Sequence, residues 1–374
     1  MHGTNGTYLN MVPGGVVSLL GTNSYSEPTT VFPGTLVVKK ATGFYNGDTS
    51  KWTPANISIH KAATLRLNAG GPGEFTGANI STLLTNLTTG IDNNGVMEGS
   101  YFDLDTVNAT EMVTVSADIA DSKGPGGGAF RIKKCGTGAL QLSGNNTYTG
   151  QTILESGTLL VSSLNSFTKG MGRASSSLGA PTDIESGEIV LGEEKKDGQC
   201  ALVYTGTGET SDRVMNLAGN TFTATFDHSG TGLLKLASAV LISGYGHSKT
   251  IILNGSTVGT GELSGNIIDP VDRAGKAVTS VIKSGTCKWI LSGTNAFTGP
   301  TVVQQGTLAL GSERSLEPKT SVRISSGATV ELNFKGQLNI RSLSFDEKAQ
   351  PPGTYSAVNA PGFIKGTGSL VVHP

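Results

Sequence analysis

The sequence contains few charged residues, few aromatic residues and few cysteines. Charged residues make up 15% of the 374 positions and the formal net charge is −1, so no broad electrostatic attraction for polyanions is predicted and we expect no nucleic-acid partner. The three cysteines, Cys135, Cys200 and Cys287, are an odd and sparse set that cannot form a disulfide framework. No CxxC pair or Cys/His cluster accompanies them, so a structural zinc site is not predicted.

Long apolar runs are also missing. No stretch approaches the roughly 20 apolar residues that a membrane-spanning helix requires, so we expect no membrane span. The first six residues, MHGTNG, lack the basic and then apolar pattern of a secretion signal. A cytoplasmic protein and a piece of a secreted protein would both look like this. The repeats described next favour the second, and we expect a secreted or cell-surface protein.

Glycine is abundant, with 53 residues, and it separates short runs rich in Val, Ile, Leu and Thr. The glycines follow no three-residue period, which excludes collagen, and the apolar runs argue against disorder. Short β-prone runs separated by Gly, Asn and Ser are typical of a protein with many short strands.

One cassette occurs three times in matching register, at 19–36, 142–159 and 291–308 (cassettes 1, 2 and 3). Each has Leu, Gly, Asn, an aromatic residue, Thr and Gly-Thr-Leu at the same offsets, and the Gly of Gly-Thr-Leu lies 13 residues after the first Gly. One such strand–turn–strand unit cannot bury its apolar face alone, whereas stacked units can. The repeat therefore predicts an all-β solenoid with coils of roughly 20–25 residues. A β-sandwich of hairpins is the alternative, but the Asn-Gly turns typical of hairpins are rare.

The cassettes resemble the autotransporter-associated β-strand repeat, also called the passenger-associated transport repeat. Its pattern, close to G-x-L-x-L-S-G-x-N-T-Y-T-G-x-T-x-V-x-x-G-T-L, is matched nearly throughout by 138–159 and less fully by the other two cassettes. Cys287 and Lys288, just before cassette 3, depart from the pattern within the match over 284–308, and Glu27 and Pro28 depart from it in cassette 1. The resemblance covers 14–39 and about 125–374. It implies secretion and a right-handed parallel β-helix, but no single activity.

We therefore expect one elongated right-handed parallel β-helix over 1–374. The repeat does not explain 42–120, which is predicted to be an irregular or inserted segment. Residues 334–374 are predicted to form a C-terminal cap, with its edge blunted by Pro351, Pro352 and Pro361. If the ends are left open, end-to-end self-association is possible.

The acidic residues in 92–105 are the candidates for chemistry. Asp103 and Asp105 have an i, i+2 spacing that places both on one face of a strand, and Asp92 and Glu98 lie nearby. Paired carboxylates serve glycosidases, and β-helical lyases combine carboxylates with Ca²⁺ or a basic residue, for which Arg273 is a candidate. A solvated loop is the plainer alternative. We predict no metal site and no cofactor, with calcium left open.

Tyr45 and Trp52 flank an Asn- and Asp-containing segment that would suit a carbohydrate-contacting loop. The alternative is that both rings fill the end of the solenoid. Asp227-His228-Ser229 suggests a catalytic triad, but consecutive strand residues point to opposite faces and cannot form a relay.

The leading functional hypothesis is a non-enzymatic scaffold or adhesin that contacts a polysaccharide or a cell-surface or matrix component. The alternative is an extracellular carbohydrate-active enzyme, a polysaccharide lyase or glycoside hydrolase, that uses Asp103, Asp105 and Arg273.

Overall fold

The computed structural model describes residues 7–9, 14–90, 94–167, 174–244, 246–256, 258–272 and 275–374. The chain divides into two compact units, Met1–Ile189 and Val190–Pro374. Each unit is described by itself.

The first unit contains short strands, two helices and three 3-10 turns. The helices are α1 (Gly77–Leu87) and α2 (Ile184–Gly187), and the 3-10 turns are Ala41–Gly43, Tyr45–Gly47 and Thr49–Lys51. The strands are β1 (Thr7–Leu9), β2 (Val16–Leu19), β3 (Thr29–Val31), β4 (Gly34–Val38), β5 (Ile57–Ile59), β6 (Ala63–Asn68), β7 (Gly95–Val96), β8 (Tyr101–Asp105), β9 (Val113–Val115), β10 (Arg131–Cys135), β11 (Ala139–Leu142), β12 (Thr152–Leu154), β13 (Gly157–Val161) and β14 (Ile189–Leu191), which spans the boundary.

These strands form parallel ladders in three sheets, in the orders β1-β3-β5-β7, β2-β4-β6-β8-β10-β12-β14 and β9-β11-β13. The chain enters one sheet, turns into the next and returns one coil later beside the same strand. In the second sheet Leu36 pairs with Leu65, and Leu65 with Phe102. Phe102 in turn pairs with Ile132. All four side chains are at most 1% exposed, so stacked apolar residues form the core.

The second unit is richer in strands. They are β15 (Gly198–Tyr204), β16 (Glu209–Ser211), β17 (Met215–Leu217), β18 (Phe222–His228), β19 (Leu233–Leu236), β20 (Lys249–Asn254), β21 (Thr260–Leu263), β22 (Thr279–Lys283), β23 (Lys288–Leu291), β24 (Thr301–Val303), β25 (Thr307–Leu310), β26 (Ser321–Ile324), β27 (Thr329–Leu332), β28 (Gln337–Ile340), β29 (Ser342–Phe345), β30 (Lys348–Ala349), β31 (Gly353–Ser356), β32 (Ile364–Gly366) and β33 (Ser369–Val372).

Within this unit two long parallel ladders run side by side along the chain, in the orders β15-β18-β20-β22-β24-β26-β29 and β16-β19-β21-β23-β25-β27-β32. The pattern changes in 334–374, the predicted cap. There β29 pairs with β30, and β31 with β33, in antiparallel fashion. Antiparallel pairs cannot propagate the coil geometry, which is compatible with the predicted cap; the capping role itself stays a prediction.

The fold is a parallel β-helix, as the cassettes predicted. The coils that carry cassettes 2 and 3 are short: Ile132 pairs with Thr152, and Val281 with Thr301, each 20 residues on. Other coils are longer. Leu65 and Phe102 are paired although 37 residues separate them.

The segment 42–120 carries strands of the same ladders, namely β5 to β9, together with irregular backbone. The 3-10 turns and α1 account for much of its length. Thr76 caps α1 by accepting a hydrogen bond from Asn79 N at its Oγ1 (3.1 Å), and Ile80, Leu84 and Leu87 face the core. The helix lengthens the coil between β6 and β8 without breaking the ladder.

Candidate functional site

The outer face of the sheet β6-β8-β10-β12 carries the predicted acidic residues. Because paired residues in parallel strands share a face, the register sorts the outward side chains into rows. The rows are Thr64, Tyr101 and Arg131; Arg66, Asp103 and Lys133; and Asn68, Asp105 and Cys135. Asp103 and Asp105 lie on one face, as their spacing predicted, opposite the inward-facing Phe102 and Leu104.

Asp103 is enclosed. Its side chain is 0% exposed, and Arg66 Nε lies 2.7 Å from its Oδ2. Burial raises the pKa of the Asp103 carboxyl, while the positive charges of Arg66 and Lys133 oppose that rise. Lys133 is itself paired with Glu155, Nζ to Oε2 2.6 Å. The Asp103 carboxylate therefore lies in a row of alternating charges, formed by Arg66, Asp103, Lys133 and Glu155, on the outward side of the sheet.

Asp105 is half-buried and plays a local role. Its Oδ1 accepts a hydrogen bond from Val107 N (3.0 Å), which closes the turn that follows β8. The two carboxylates thus share a face but differ in surroundings. Their assignment as a catalytic pair stays a prediction.

Glu98 lies on the rim of a groove of about 210 Å³, the Glu98 groove, which Arg131, Gln151, Asp183 and Glu185 also line. Arg131 Cζ lies 5.1 Å from the ring centre of Tyr101, a cation–π contact that holds the guanidinium against the sheet. The hydrogen bond from Ser186 N to the side chain lowers the pKa of Asp183. Three carboxylates and one guanidinium therefore line this groove.

Tyr45 and Trp52 lie in the interior. Trp52 is 0% and Tyr45 4% exposed, and the Trp52 ring centre lies 5.7 Å from that of Phe75. Tyr45 Oη donates a hydrogen bond to Asn56 O (2.6 Å), and burial raises the pKa of the phenol. Both rings are packed against other side chains in the interior, and their assignment as carbohydrate contacts stays a prediction. Neither ring offers an open face to a surface ligand.

Two predicted residues lie outside the described residues: Asp92 in 91–93, and Arg273 in 273–274. In the part of the chain that is described, no group of three or more His, Cys, Asp or Glu side chains is arranged to hold a metal ion. Cys135 and Cys287 are buried free thiols, and Cys200 is also buried. No helix among the described residues is both long and apolar enough to cross a membrane.

The Asp227-His228-Ser229 segment follows strand alternation. Asp227 accepts a hydrogen bond from Ser229 Oγ and another from Asn254 Nδ2. His228 points the other way, is 0% exposed, and lies with its Nε2 3.1 Å from Gly232 O and its ring against Tyr204. The three side chains form no relay, as the alternation predicted.

Buried lysines were not singled out from the sequence. Lys134 Nζ donates to the carbonyl oxygens of Cys135, Gly136 and Ser156 at 2.7–3.0 Å. Lys283 Nζ donates to those of Ser284, Gly285 and Gln305 at 2.5–3.1 Å. The available signal was a Lys-x-Gly at one offset, ten residues before the first Gly of cassettes 2 and 3. Burial lowers the pKa of Lys283 to about 8.

The stacked coils and their charged outer faces define a class, a parallel β-helical repeat protein. A family model described as Passenger-associated-transport-repeat matches 14–38, 133–161 and 281–310, the segments that hold the three cassettes. The chain therefore contains three passenger-associated transport repeats, as the cassettes predicted.

Among curated proteins the chain is similar to "Adhesin BmaC autotransporter" from Brucella suis biovar 1 (strain 1330), with 31% identity over 175 residues. The alignment covers 46% of this chain and 5% of that adhesin, so the chain corresponds to a small part of its relative. No solved structure matches the chain.

Proposed function

We propose that this chain is the β-helical scaffold of an autotransporter-passenger-like adhesin, located at the cell surface or secreted. The observation that carries the proposal is the stack of coils in which the passenger repeats occur at 14–38, 133–161 and 281–310. The similarity to part of a protein named as an autotransporter adhesin supports it. The partner is a polysaccharide or a cell-surface or matrix component.

The distribution of side chains supports contact by an outer face. The interior is filled by stacked apolar residues such as Leu65 and Phe102. Charged groups occupy the outside of the same strands, with Arg66, Lys133 and Glu155 accessible in part. A β-helix holds such groups at a fixed spacing of about 4.8 Å per coil, so a repeating ligand meets a pre-organised surface.

Adhesion of beads coated with the chain tests this proposal. The beads should adhere to at least one surface in a panel of polysaccharides, matrix proteins and cells, and beads coated with heat-unfolded chain should not. Equal adhesion by the folded and unfolded chains across the panel would refute the proposal. Turnover of a polysaccharide that a single substitution abolishes would also end the scaffold assignment.

The placement of Asp103 and Asp105 on one face supports a second candidate, a carbohydrate-active enzyme. It requires Asp105→Asn to remove polysaccharide cleavage while the melting temperature stays nearly unchanged. Asp103→Asn is a weaker test alone, because it also removes the ion pair with Arg66. If both variants still cleave polysaccharide, Asp103 and Asp105 are not the catalytic carboxylates. Calcium, which the lyase hypothesis leaves open, is tested by comparing melting with Ca²⁺ and with a chelator.

End-to-end self-association is part of the same proposal. Light scattering should show a mass that rises with concentration if end coils associate. A constant monomer mass over a hundredfold dilution series would exclude it.

A further inference from the structure

A second groove lies in the unit Val190–Pro374, and its charge is opposite to that of the Glu98 groove. It encloses about 510 Å³, a volume within the usual range of small-ligand sites of roughly 300–1,000 Å³. Its basic lining residues are Lys319, Arg341 and His373, and its other lining residues are Val278, Thr298, Pro318, Ile340 and Pro374. Among the described residues, no Asp or Glu side chain lines it. We refer to it as the basic groove.

The groove follows the stacking direction of the β-helix. Val281, Thr301, Val322 and Leu343 are successive partners in the ladder β22-β24-β26-β29. Four lining residues each lie three positions before one of these partners: Val278, Thr298, Lys319 and Ile340. The groove therefore crosses four successive coils and takes one of these residues from each. At about 4.8 Å per coil, it extends roughly 14 Å along the stack.

The backbone that carries the basic side chains is held in place. Arg341 N donates to Thr320 O (3.0 Å), and Thr320 Oγ1 donates to Phe297 O (3.0 Å) one coil earlier. His373 Nε2 lies 2.8 Å from Asn339 Oδ1. The backbone beside Lys319 and Arg341 is thus tied to the ladder, so a ligand has to order only the two exposed side chains.

The positive charge of the groove is not neutralised by the protein. Lys319 and Arg341 are exposed and form no ion pair within the residues that the structure describes. The carboxylate in contact with a lining residue is Asp269, which accepts hydrogen bonds from Thr298 N, Thr298 Oγ1 and Thr279 N. Asp269 keeps its negative charge, but its oxygens accept these bonds and it forms no ion pair with Lys319 or Arg341. An anionic ligand would therefore meet two cations that have no ion-pair partner among the described residues.

We propose that the basic groove binds a linear anionic polysaccharide, with carboxylate or sulfate groups at Lys319 and Arg341 and sugar rings along Val278 and Pro318. The inference rests on the proposed function, because it names the ligand class of that adhesive surface. A groove repeated from coil to coil suits a linear repeating ligand, and its apolar floor suits the C–H faces of sugar rings. A formal net charge of −1 for the whole chain confines the attraction to the groove.

Binding measurements on the full chain test the inference. The probes are polygalacturonate, which carries carboxylates, dextran sulfate, which carries sulfates, neutral dextran and a single-stranded oligonucleotide. We expect binding to one or both anionic polysaccharides, no binding to neutral dextran, and weakening as NaCl rises. The double variant Lys319→Gln/Arg341→Gln should weaken binding about 10-fold, since each exposed charge pair contributes a few-fold to the affinity.

The matched control is Lys335→Gln/Lys348→Gln, which removes the same charge from exposed positions in the same unit that do not line the groove. It should change binding by less than about 2-fold. Equal losses in the two double variants would overturn the groove, as would tighter binding of the oligonucleotide than of either anionic polysaccharide. Adhesion to neutral surfaces that neither variant affects would retain the proposed function and reject the groove. Absence of binding to any probe or panel surface would reject both.

Discussion

Cassettes 2 and 3 lie in different units, form the same turn with equivalent hydrogen bonds and differ at the aromatic position. In each, a buried asparagine, Asn146 or Asn295, bonds to backbone on two neighbouring coils. In each, the glycine of Gly-Thr-Leu, Gly157 or Gly306, has a φ of about +70°, a conformation that favours glycine because glycine lacks a Cβ. The repeated residues of the cassette are therefore those that satisfy the backbone where the chain turns.

The cassettes differ at the aromatic position. Tyr148 Oη and Thr152 Oγ1 share a hydrogen bond of 2.8 Å in cassette 2, and in cassette 1 Thr29 Oγ1 donates to Tyr25 Oη at the same distance. Cassette 3 has Phe297, and the buried Thr301 Oγ1 has no hydrogen-bond partner among the described residues. A threonine kept without its phenol indicates that the β-branched shape is needed at this position even when the hydroxyl is not used.

The largest effect is expected from substitution of the buried asparagine that the two cassettes share. Asn146→Ala and Asn295→Ala each leave a buried N–H and a buried carbonyl unpaired, so each should lower the free energy of unfolding by about 2–4 kcal/mol. Urea unfolding followed by circular dichroism measures this loss. The exposed neighbours Asn145→Ala and Thr294→Ala are the matched controls and should cost less than about 0.5 kcal/mol. If only one of the two variants lost stability, the two asparagines would not play equivalent roles.

The buried lysines should give the next largest effect. Lys134→Met and Lys283→Met keep the apolar stem but leave three carbonyl groups without their donor. The removed cost of burying an ammonium offsets part of the loss, so we expect about 1–3 kcal/mol in each unit. The measurement is again urea unfolding, with the exposed Lys335→Met as control. Unchanged stability in both variants would show that the ammonium groups do not hold the turns.

The aromatic position allows a reciprocal exchange. Tyr148→Phe should lower the free energy of unfolding by about 1 kcal/mol, because Thr152 loses its partner. Phe297→Tyr should raise it by up to about 1 kcal/mol by supplying a partner for Thr301. Differential melting of the two variants and the parent tests the exchange. Shifts of the same sign would mean that the hydrogen bond does not distinguish the cassettes.

The smallest expected effect sharpens the same difference. Thr301→Val removes a hydroxyl that is buried without a partner and should be neutral or stabilising by less than about 1 kcal/mol. Thr152→Val should destabilise by about 1 kcal/mol, because Tyr148 then loses its bond. Calorimetric melting resolves the two. A larger loss at Thr301 than at Thr152 would contradict the assignment.

The fold class was predictable because three cassettes share one register. The strands in 42–120 were not, because β6 and β8 lack the Gly-x-Asn punctuation that made the cassettes visible. Their partners lie 29 and 37 residues away, so only the assembled ladder identifies them. A coil is recognisable in the sequence when its residues recur, but not when only its strand geometry recurs.

The candidate site was predictable only in part. The spacing of Asp103 and Asp105 correctly placed both on one face, but the neighbours Arg66 and Lys133 that enclose Asp103 come from other coils. Trp52 and Tyr45 appeared suited to a surface loop until Phe75 and Tyr25 were seen packed against them. Burial depends on what lies beside a residue in space, which local spacing does not contain.

By itself the sequence determined that this protein is a parallel β-helix with passenger-associated transport repeats. Turn residues and alternating apolar residues determine the local backbone conformation, and the three cassettes repeat the same residues. Only the tertiary structure decided which outer faces carry charge. The Glu98 groove and the basic groove each combine residues from several coils, and their opposite charges arise from the register that brings distant segments together.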